Sequence, residues 1–277
     1  MLFGGPVLKA CRNPEEWRDE VMKLGYSAVF FPLKHTDPPD LIDAYVRLIR
    51  EHPLHIAEVG AWSNPLSRDA RTARQAFDFC CGQLDLADRV GAACCVNIAG
   101  SCSDIWDGPH PDNFKAETFV RIVDVVRRII DTVRPMRTFY TLELMPWMLP
   151  DSADTYLDLI RAIDRPSFAV HLDPVNIICS PRAYADNGDV IKELFAKLGP
   201  YIKSCHAKDI RLESRLTTHL SECRPGLGAL DYTVYLRELN KLPTPAALMM
   251  EHMSQPDEVD AAASFIRQQA LSLGIRI

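Results

Sequence analysis

Apolar positions along the chain follow two alternating rhythms. Continuous apolar runs, such as Ser27-Ala-Val-Phe-Phe-Pro32 and Ala92-Ala-Cys-Cys-Val-Asn-Ile98, have the make-up of strands buried on both faces of a parallel sheet. Between them the period lengthens to 3.6, most clearly in Phe119, Ile122, Val123, Val126 and Ile130 of a helix expected over 116–133. Other strands are expected at Leu2-Phe-Gly-Gly5, His55–Gly60, around Thr141, and in the runs 168–174, 201–207 and 246–252. Helices are expected from the Asn13-Pro14 start to Gly25, and over 41–51, 67–90, 153–163, 188–198, 231–239 and 257–273. Eight strand-plus-helix units predict a parallel sheet closed into a single (β/α)₈ TIM barrel spanning residues 1–277.

The chain's length of 277 residues fits one such barrel. A net charge of −6 without a Lys/Arg run argues against a nucleic-acid partner bound through phosphates. Nine scattered cysteines, an odd number, fit reduced thiols and a cytoplasmic protein better than a disulfide scaffold. No run reaches the roughly 18 apolar residues that a membrane span needs, and the first residues lack a signal peptide's basic and apolar regions, so the expectation is a soluble protein with no membrane partner.

The chemistry gathers in the second half. The run Thr141-Leu-Glu-Leu-Met-Pro-Trp147 carries Glu143 late in a strand and is stopped by Pro146. Phe168-Ala-Val-His-Leu-Asp-Pro174 places Asp173 in the same late position, Tyr201-Ile-Lys-Ser-Cys-His-Ala207 places His206 there, and Ala246-Ala-Leu-Met-Met-Glu-His252 places Glu251 there. The spacings are 30, 33 and 45 residues, each about one strand-plus-helix unit. In a barrel, catalytic groups come from the C-terminal ends of several strands, where all four residues fall. One carboxylate at a strand end is commonly solvated or salt-bridged. Three of them beside one imidazole repel each other and resist desolvation unless a cation joins them. Such an oxygen-rich set suits Mn²⁺ first, with Mg²⁺, Co²⁺ or Zn²⁺ as alternatives.

These residues resemble the metal set of the xylose isomerase-like TIM-barrel superfamily, specifically its sugar phosphate isomerase/epimerase group. Leu142-Glu143, His171-Leu-Asp-Pro-Val-Asn176, His206-Ala-Lys-Asp209 and Arg224-Pro-Gly-Leu-Gly-Ala-Leu-Asp-Tyr232 stand where that group has them. The resemblance implies a divalent-metal-dependent sugar isomerase or epimerase. Glu143 or Glu251 would remove a proton α to a carbonyl, the cation would stabilise a cis-enediolate, and the other glutamate would return a proton. Asp173 and His206 would mainly hold the metal. Where ketose epimerases of the group carry a substrate-contacting His three residues after the ligand Asp, this chain has Asn176. Their substrate-binding Arg is matched by Arg211 or replaced by Lys208. These departures keep open a lyase that cleaves oxidised O- or C-glycosides by β-elimination in the same site.

Several neighbours are candidate substrate contacts. His171 precedes Asp173 by two and Lys208 follows His206 by two, so each shares its ligand's side of the strand. For Lys208 the alternative is a salt bridge to Asp209 or Glu58. Glu58, at the end of the third strand, is read as a sugar contact or a structural hydrogen-bond partner. Trp62, Trp106 and Trp147 follow the third, fourth and fifth strands and offer flat faces for a sugar ring. Trp106 lies in the long loop Gly100–Asn113, read as a lid over the rim. Gly226-Leu-Gly228 has no Lys-Ser/Thr after it and is read as a turn into the next helix. With no basic cluster in the last two loops, the expected substrate is a small neutral or oxidised sugar or glycoside. Phe265, Leu271 and Leu273 on the last helix leave room for a homo-oligomer or a small partner subunit.

Overall fold

A computed structural model describes residues 1–277. Its barrel strands are β1 (Leu2–Gly4), β2 (Ala28–Phe30), β3 (His55–Gly60), β4 (Cys94–Asn97), β5 (Tyr140–Glu143), β6 (Phe168–Leu172), β7 (Ile202–Ala207) and β10 (Ala247–Met250). A separate antiparallel hairpin of β8 (Asp209–Leu212) and β9 (Leu220–Cys223) sits between β7 and the next helix. The helices are α1 (Pro14–Leu24), α2 (Pro39–Arg50), α3 (Ala70–Val90), α4 (Ala116–Val133), α5 (Ala153–Ile163), α6 (Pro181–Ala185), α7 (Asn187–Leu198), α8 (Tyr232–Asn240) and α9 (Pro256–Ser272).

The eight barrel strands pair in parallel in the order β1-β10-β7-β6-β5-β4-β3-β2. The seam between β1 and β2 is closed by the Ser27 backbone N–H, which donates to the Phe3 carbonyl at 2.9 Å. The backbones approach so closely there that a Cβ on Gly4 would lie 2.0 Å from the Ala28 carbonyl oxygen. Glycine is therefore required at the seam.

Helix ends follow the expected chemistry. Asn13 accepts the Glu16 N–H at 2.8 Å with Pro14 at the first helical position, and Gly25 ends α1 at φ 66°. Asp69, Ser152 and Asp231 cap α3, α5 and α8 through the amides of Thr72, Thr155 and Val234. The core is one large apolar cluster between strands and helices, with a small separate one of Ala28, Ala57, Ala247 and Met249 from the strands. Phe265, grouped in the sequence with an outward apolar patch, instead packs edge-on against Tyr232 with ring centroids 5.2 Å apart. All nine cysteines are free, and no helix is long and apolar enough to cross a membrane.

Buried tyrosines fix the strand ends that carry the chemistry. Tyr156 OH on α5 donates to the Leu142 carbonyl on β5 at 2.6 Å and lies 2.8 Å from the Ala169 carbonyl on β6. From α8, Tyr235 OH donates to the His206 carbonyl at 2.8 Å and Tyr232 OH to the Lys208 carbonyl at 2.7 Å. Each phenol buries its ring and places its one donor on a carbonyl next to a site residue.

Candidate metal centre and active-site cavity

At the C-terminal end of the barrel, β5, β6, β7 and β10 bring Glu143, Asp173, His206 and Glu251 into one cluster. One ligand atom from each lies within 4.8 Å of every other. His206 Nδ1 stands 2.9 Å from Glu251 Oε1 and 3.2 Å from Glu143 Oε1. Parallel pairing accounts for the convergence, since Met249 stands opposite His206 and Glu143 opposite His171, which sets the strand ends at one level.

Lys208 shares this cluster. Its ammonium lies 2.8 Å from Glu251, 2.9 Å from Asp173, 3.5 Å from Glu222 and 3.9 Å from Glu143. It pairs with neither Asp209 nor Glu58, the partners considered from the sequence. Asp209 is occupied by the backbone amides of Gly226, Gly228 and Leu230, which hold the turn into α8. A Cβ on Gly228 would lie 2.3 Å from both Asp209 Oδ1 and the Ile210 carbonyl. Glu58 lies deeper. Its Oε1 accepts from His171 Nε2 at 3.0 Å and from Ser204 Oγ, and its Oε2 faces His206 Nε2 at 3.3 Å.

The electrostatics follow from burial. Burial pushes the Asp173 carboxyl up to about 7, with Lys208 opposing and Glu143 and Glu251 assisting. Glu251 and Glu143 are also desolvated, but His206 and Lys208 hold both below the ordinary carboxylate range. Against its own burial, His206 is raised well above an ordinary histidine by Glu251, Glu58 and Glu143. Lys208 is raised in the same way by Asp173, Glu251 and Glu143.

A divalent cation fits this donor set. Asp173 Oδ2 and Glu251 Oε1 are buried and held only by ion-pair contacts, to Lys208 at 2.9 and 2.8 Å and from Glu251 to His206 at 2.9 Å, so a metal cation can take the place of those charges. Three carboxylate oxygens and one imidazole nitrogen form a hard, mixed site without thiolate. Metal binding must expel the Asp173 proton and the second His206 proton. Affinity for Mn²⁺ is therefore expected to fall with pH, the Asp173 proton adding about tenfold per pH unit below about 7 to the competition from His206. Chelator-competition titrations at stepped pH check this, and a flat profile across pH 7 would contradict it.

Glu143, His206 and Glu251 of the cluster line a cavity of about 670 Å³, and Asp173 is fully buried outside its lining. Phe30, Trp62, Trp106 and Trp147 supply apolar walls, and Asn176, Lys208, Glu222 and His252 supply polar ones. Asn176 Nδ2 donates to Glu143 Oε1 at 3.2 Å and to the Leu144 carbonyl at 3.0 Å, while Lys208 Nζ approaches its Oδ1 at 3.4 Å. The loop over 100–113 reaches the cavity through Trp106 and Asp107. Trp147 Nε1 donates to the Asp107 carbonyl at 2.6 Å, and Asn113 Nδ2 donates to the Trp147 carbonyl at 3.0 Å.

Three residues considered as substrate contacts lie away from the cavity wall. His171 and Glu58 are fully buried beneath His206, and Arg211 is exposed on β8. Arg211 belongs to the β8–β9 hairpin, whose short half-polar strands resemble a loop in sequence. Several cavity residues, Phe30 and Asp107 among them, were not singled out from the sequence, and two of these carry a charged pair. Glu222 arrives on β9, and His252 follows Glu251 with its backbone at φ 58°. His252 Nδ1 lies 2.9 Å from Glu222 Oε1. A left-handed conformation is costly for a non-glycine residue, and here it accompanies an imidazole turned toward the cavity.

The sequence profile of the xylose isomerase-like TIM barrel matches residues 19–269. The chain belongs to the xylose isomerase-like TIM barrel family. No curated protein matches it at the level of sequence. Among solved structures, a xylose isomerase-like TIM barrel protein from Mycobacterium smegmatis in complex with magnesium superposes with TM-score 0.67 at 15% identity, covering 97% of this chain and 92% of that one. The probable 3-DHS dehydratase AsbF from Bacillus anthracis gives TM-score 0.72 at 15% identity, covering 98% and 99%. A D-psicose 3-epimerase with D-tagatose from Clostridium cellulolyticum H10 gives TM-score 0.72 at 13% identity and covers both chains fully. At such identities these likenesses establish the shared fold.

Proposed function

We propose that this member of the family is a divalent-metal-dependent sugar isomerase or epimerase, with Mn²⁺ as the first choice of ion. The observation that carries the reading is the cluster of Glu143, Asp173, His206 and Glu251, of which both glutamates and His206 line one aromatic-walled cavity. The similarity of the fold to D-psicose 3-epimerase supports it.

Glu143, Asp173, His206 and Glu251 would hold the ion, which when bound supplies positive charge to the oxygens of an α-hydroxycarbonyl substrate. The rest falls to the chain itself. A carboxylate that gives one oxygen to a cation keeps the other free, so Glu143 or Glu251 removes the proton α to the carbonyl and the other glutamate returns one. Asn176 and Lys208 donate hydrogen bonds to substrate oxygens, and Trp106 and Trp147 pack on the sugar and limit water. Nine free thiols suit a reducing, cytoplasmic setting.

The test is to incubate the Mn²⁺-loaded protein with a panel of ketoses and oxidised glycosides in D₂O and to follow the α-hydrogen by NMR. Deuterium uptake with no other mass change is the expected result. Loss of a β-substituent would show the lyase outcome, which begins with the same proton removal. Absence of exchange across the panel, in protein shown to contain metal, would overturn the reading.

A further inference from the structure

Beneath the cluster lies a second polar layer with no route to solvent. Glu58 extends from β3 across the barrel interior and meets His171 of β6 and Ser204 and His206 of β7. All four side chains are almost completely buried, with relative exposures of 0–1%. Burial of four polar groups in a barrel core is costly unless each serves a specific arrangement.

We propose that Glu58, braced by His171 and Ser204, is the positioning residue that fixes the tautomer and ring plane of His206 for metal binding. The inference rests on the metal reading of the cluster above it.

The geometry gives each atom a part. A carboxylate only accepts hydrogen bonds, so His206 Nε2, 3.3 Å from Glu58 Oε2, carries a hydrogen. Nδ1, between Glu143 and Glu251, is then the nitrogen whose hydrogen a cation displaces and whose lone pair it takes, while Nε2 keeps its hydrogen on Glu58. Glu58 cannot turn away, because His171 Nε2 and Ser204 Oγ both engage its other oxygen. His171 itself points to the same role. Its Nδ1 is buried with no hydrogen-bond partner, so Glu58 is the ring's one hydrogen-bond partner, and an orphaned nitrogen is tolerated in the core to keep it. The His171 ring also stands edge-on to the His206 ring, with centroids 4.1 Å apart and planes at 71°. Phe30 and Trp62 enclose His206 from other sides at 6.2 and 6.3 Å. The metal-facing imidazole is thus held both by a hydrogen bond and by packing, an arrangement in which the outer partner strengthens ligation.

Glu58→Gln tests the inference because the shape is kept while the amide offers His206 Nε2 a donor in place of an acceptor, favouring the tautomer with hydrogen on Nδ1. The dissociation constant of Co²⁺ is measured by chelator competition, together with the visible absorption of bound Co²⁺ and the Tm with and without the ion. The expected result is roughly 10- to 100-fold weaker binding, an altered Co²⁺ spectrum and a smaller metal-induced rise in Tm. Ser204→Ala, which removes only the brace, keeps the test usable if the first variant does not fold, and a several-fold weakening is expected. Unchanged affinity and spectrum in a variant with a lowered metal-free Tm would show a purely structural role and overturn the inference, leaving the metal centre intact. If wild-type protein binds no Co²⁺ while properly folded, the metal reading itself falls, and the inference with it.

Discussion

Glu143→Gln and Glu251→Gln are each expected to slow deuterium exchange at the substrate's α-carbon by about 10³-fold or more, equivalent to ~4 kcal/mol of activation free energy. Two effects combine in each variant. An amide is a poorer ligand than a carboxylate, and it cannot accept the proton. Asp173→Asn separates these effects, because Asp173 is proposed to hold the ion without moving a proton. Its activity should fall only as far as metal occupancy falls and should recover at high Mn²⁺. The two glutamate variants should stay impaired at full occupancy. If excess metal restored both of them, neither glutamate could be a proton carrier. Asp107, Glu222 and His252 would then be the remaining titratable groups on the cavity wall outside the four-residue cluster and Lys208.

Elements governed by one local rule are legible in the sequence. Helices over 116–133 and 153–163 fall where the 3.6 period and the caps place them, because buried positions such as Ile122, Val126 and Ile130 fix the face and Ser152 fixes the start. The four cluster residues are legible because a parallel barrel turns sequence position within a strand into height along the axis, so late strand positions share one rim. The same logic loses reach away from the strands. The β8–β9 hairpin has short, half-polar strands joined by the polar segment 213–219, and nothing in its composition separates it from a loop. Glu222 depends on that hairpin and was hidden with it. Lys208 shows a different limit. Its side of the strand follows from alternation, but the choice among several carboxylates depends on which are already occupied. Asp209 is taken by backbone amides and Glu58 by two imidazoles and a hydroxyl, and neither commitment has a sequence signature.

Those commitments make Lys208 the chain's own counter-charge. With Asp209 and Glu58 engaged elsewhere, its ammonium is left to Asp173 and Glu251 at 2.9 and 2.8 Å, and only 3% of the side chain is exposed. Removing one member of a buried ion pair leaves the other uncompensated, so Lys208→Met is expected to destabilise the metal-free protein by about 3–5 kcal/mol. For a chain of this size that corresponds to a fall in Tm on the order of 10 °C. A divalent ion answers the same carboxylates that the ammonium leaves behind. The variant should therefore bind Mn²⁺ more tightly than the wild type and regain most of the lost Tm when the ion is added, while its turnover stays low because a donor to the substrate is gone. Calorimetric scans of both proteins, each with and without Mn²⁺, read all of this in one experiment. A variant as stable as the wild type without metal would show that the carboxylates need no lysine. One that loses stability equally with and without the ion would show that ammonium and metal do not share a site.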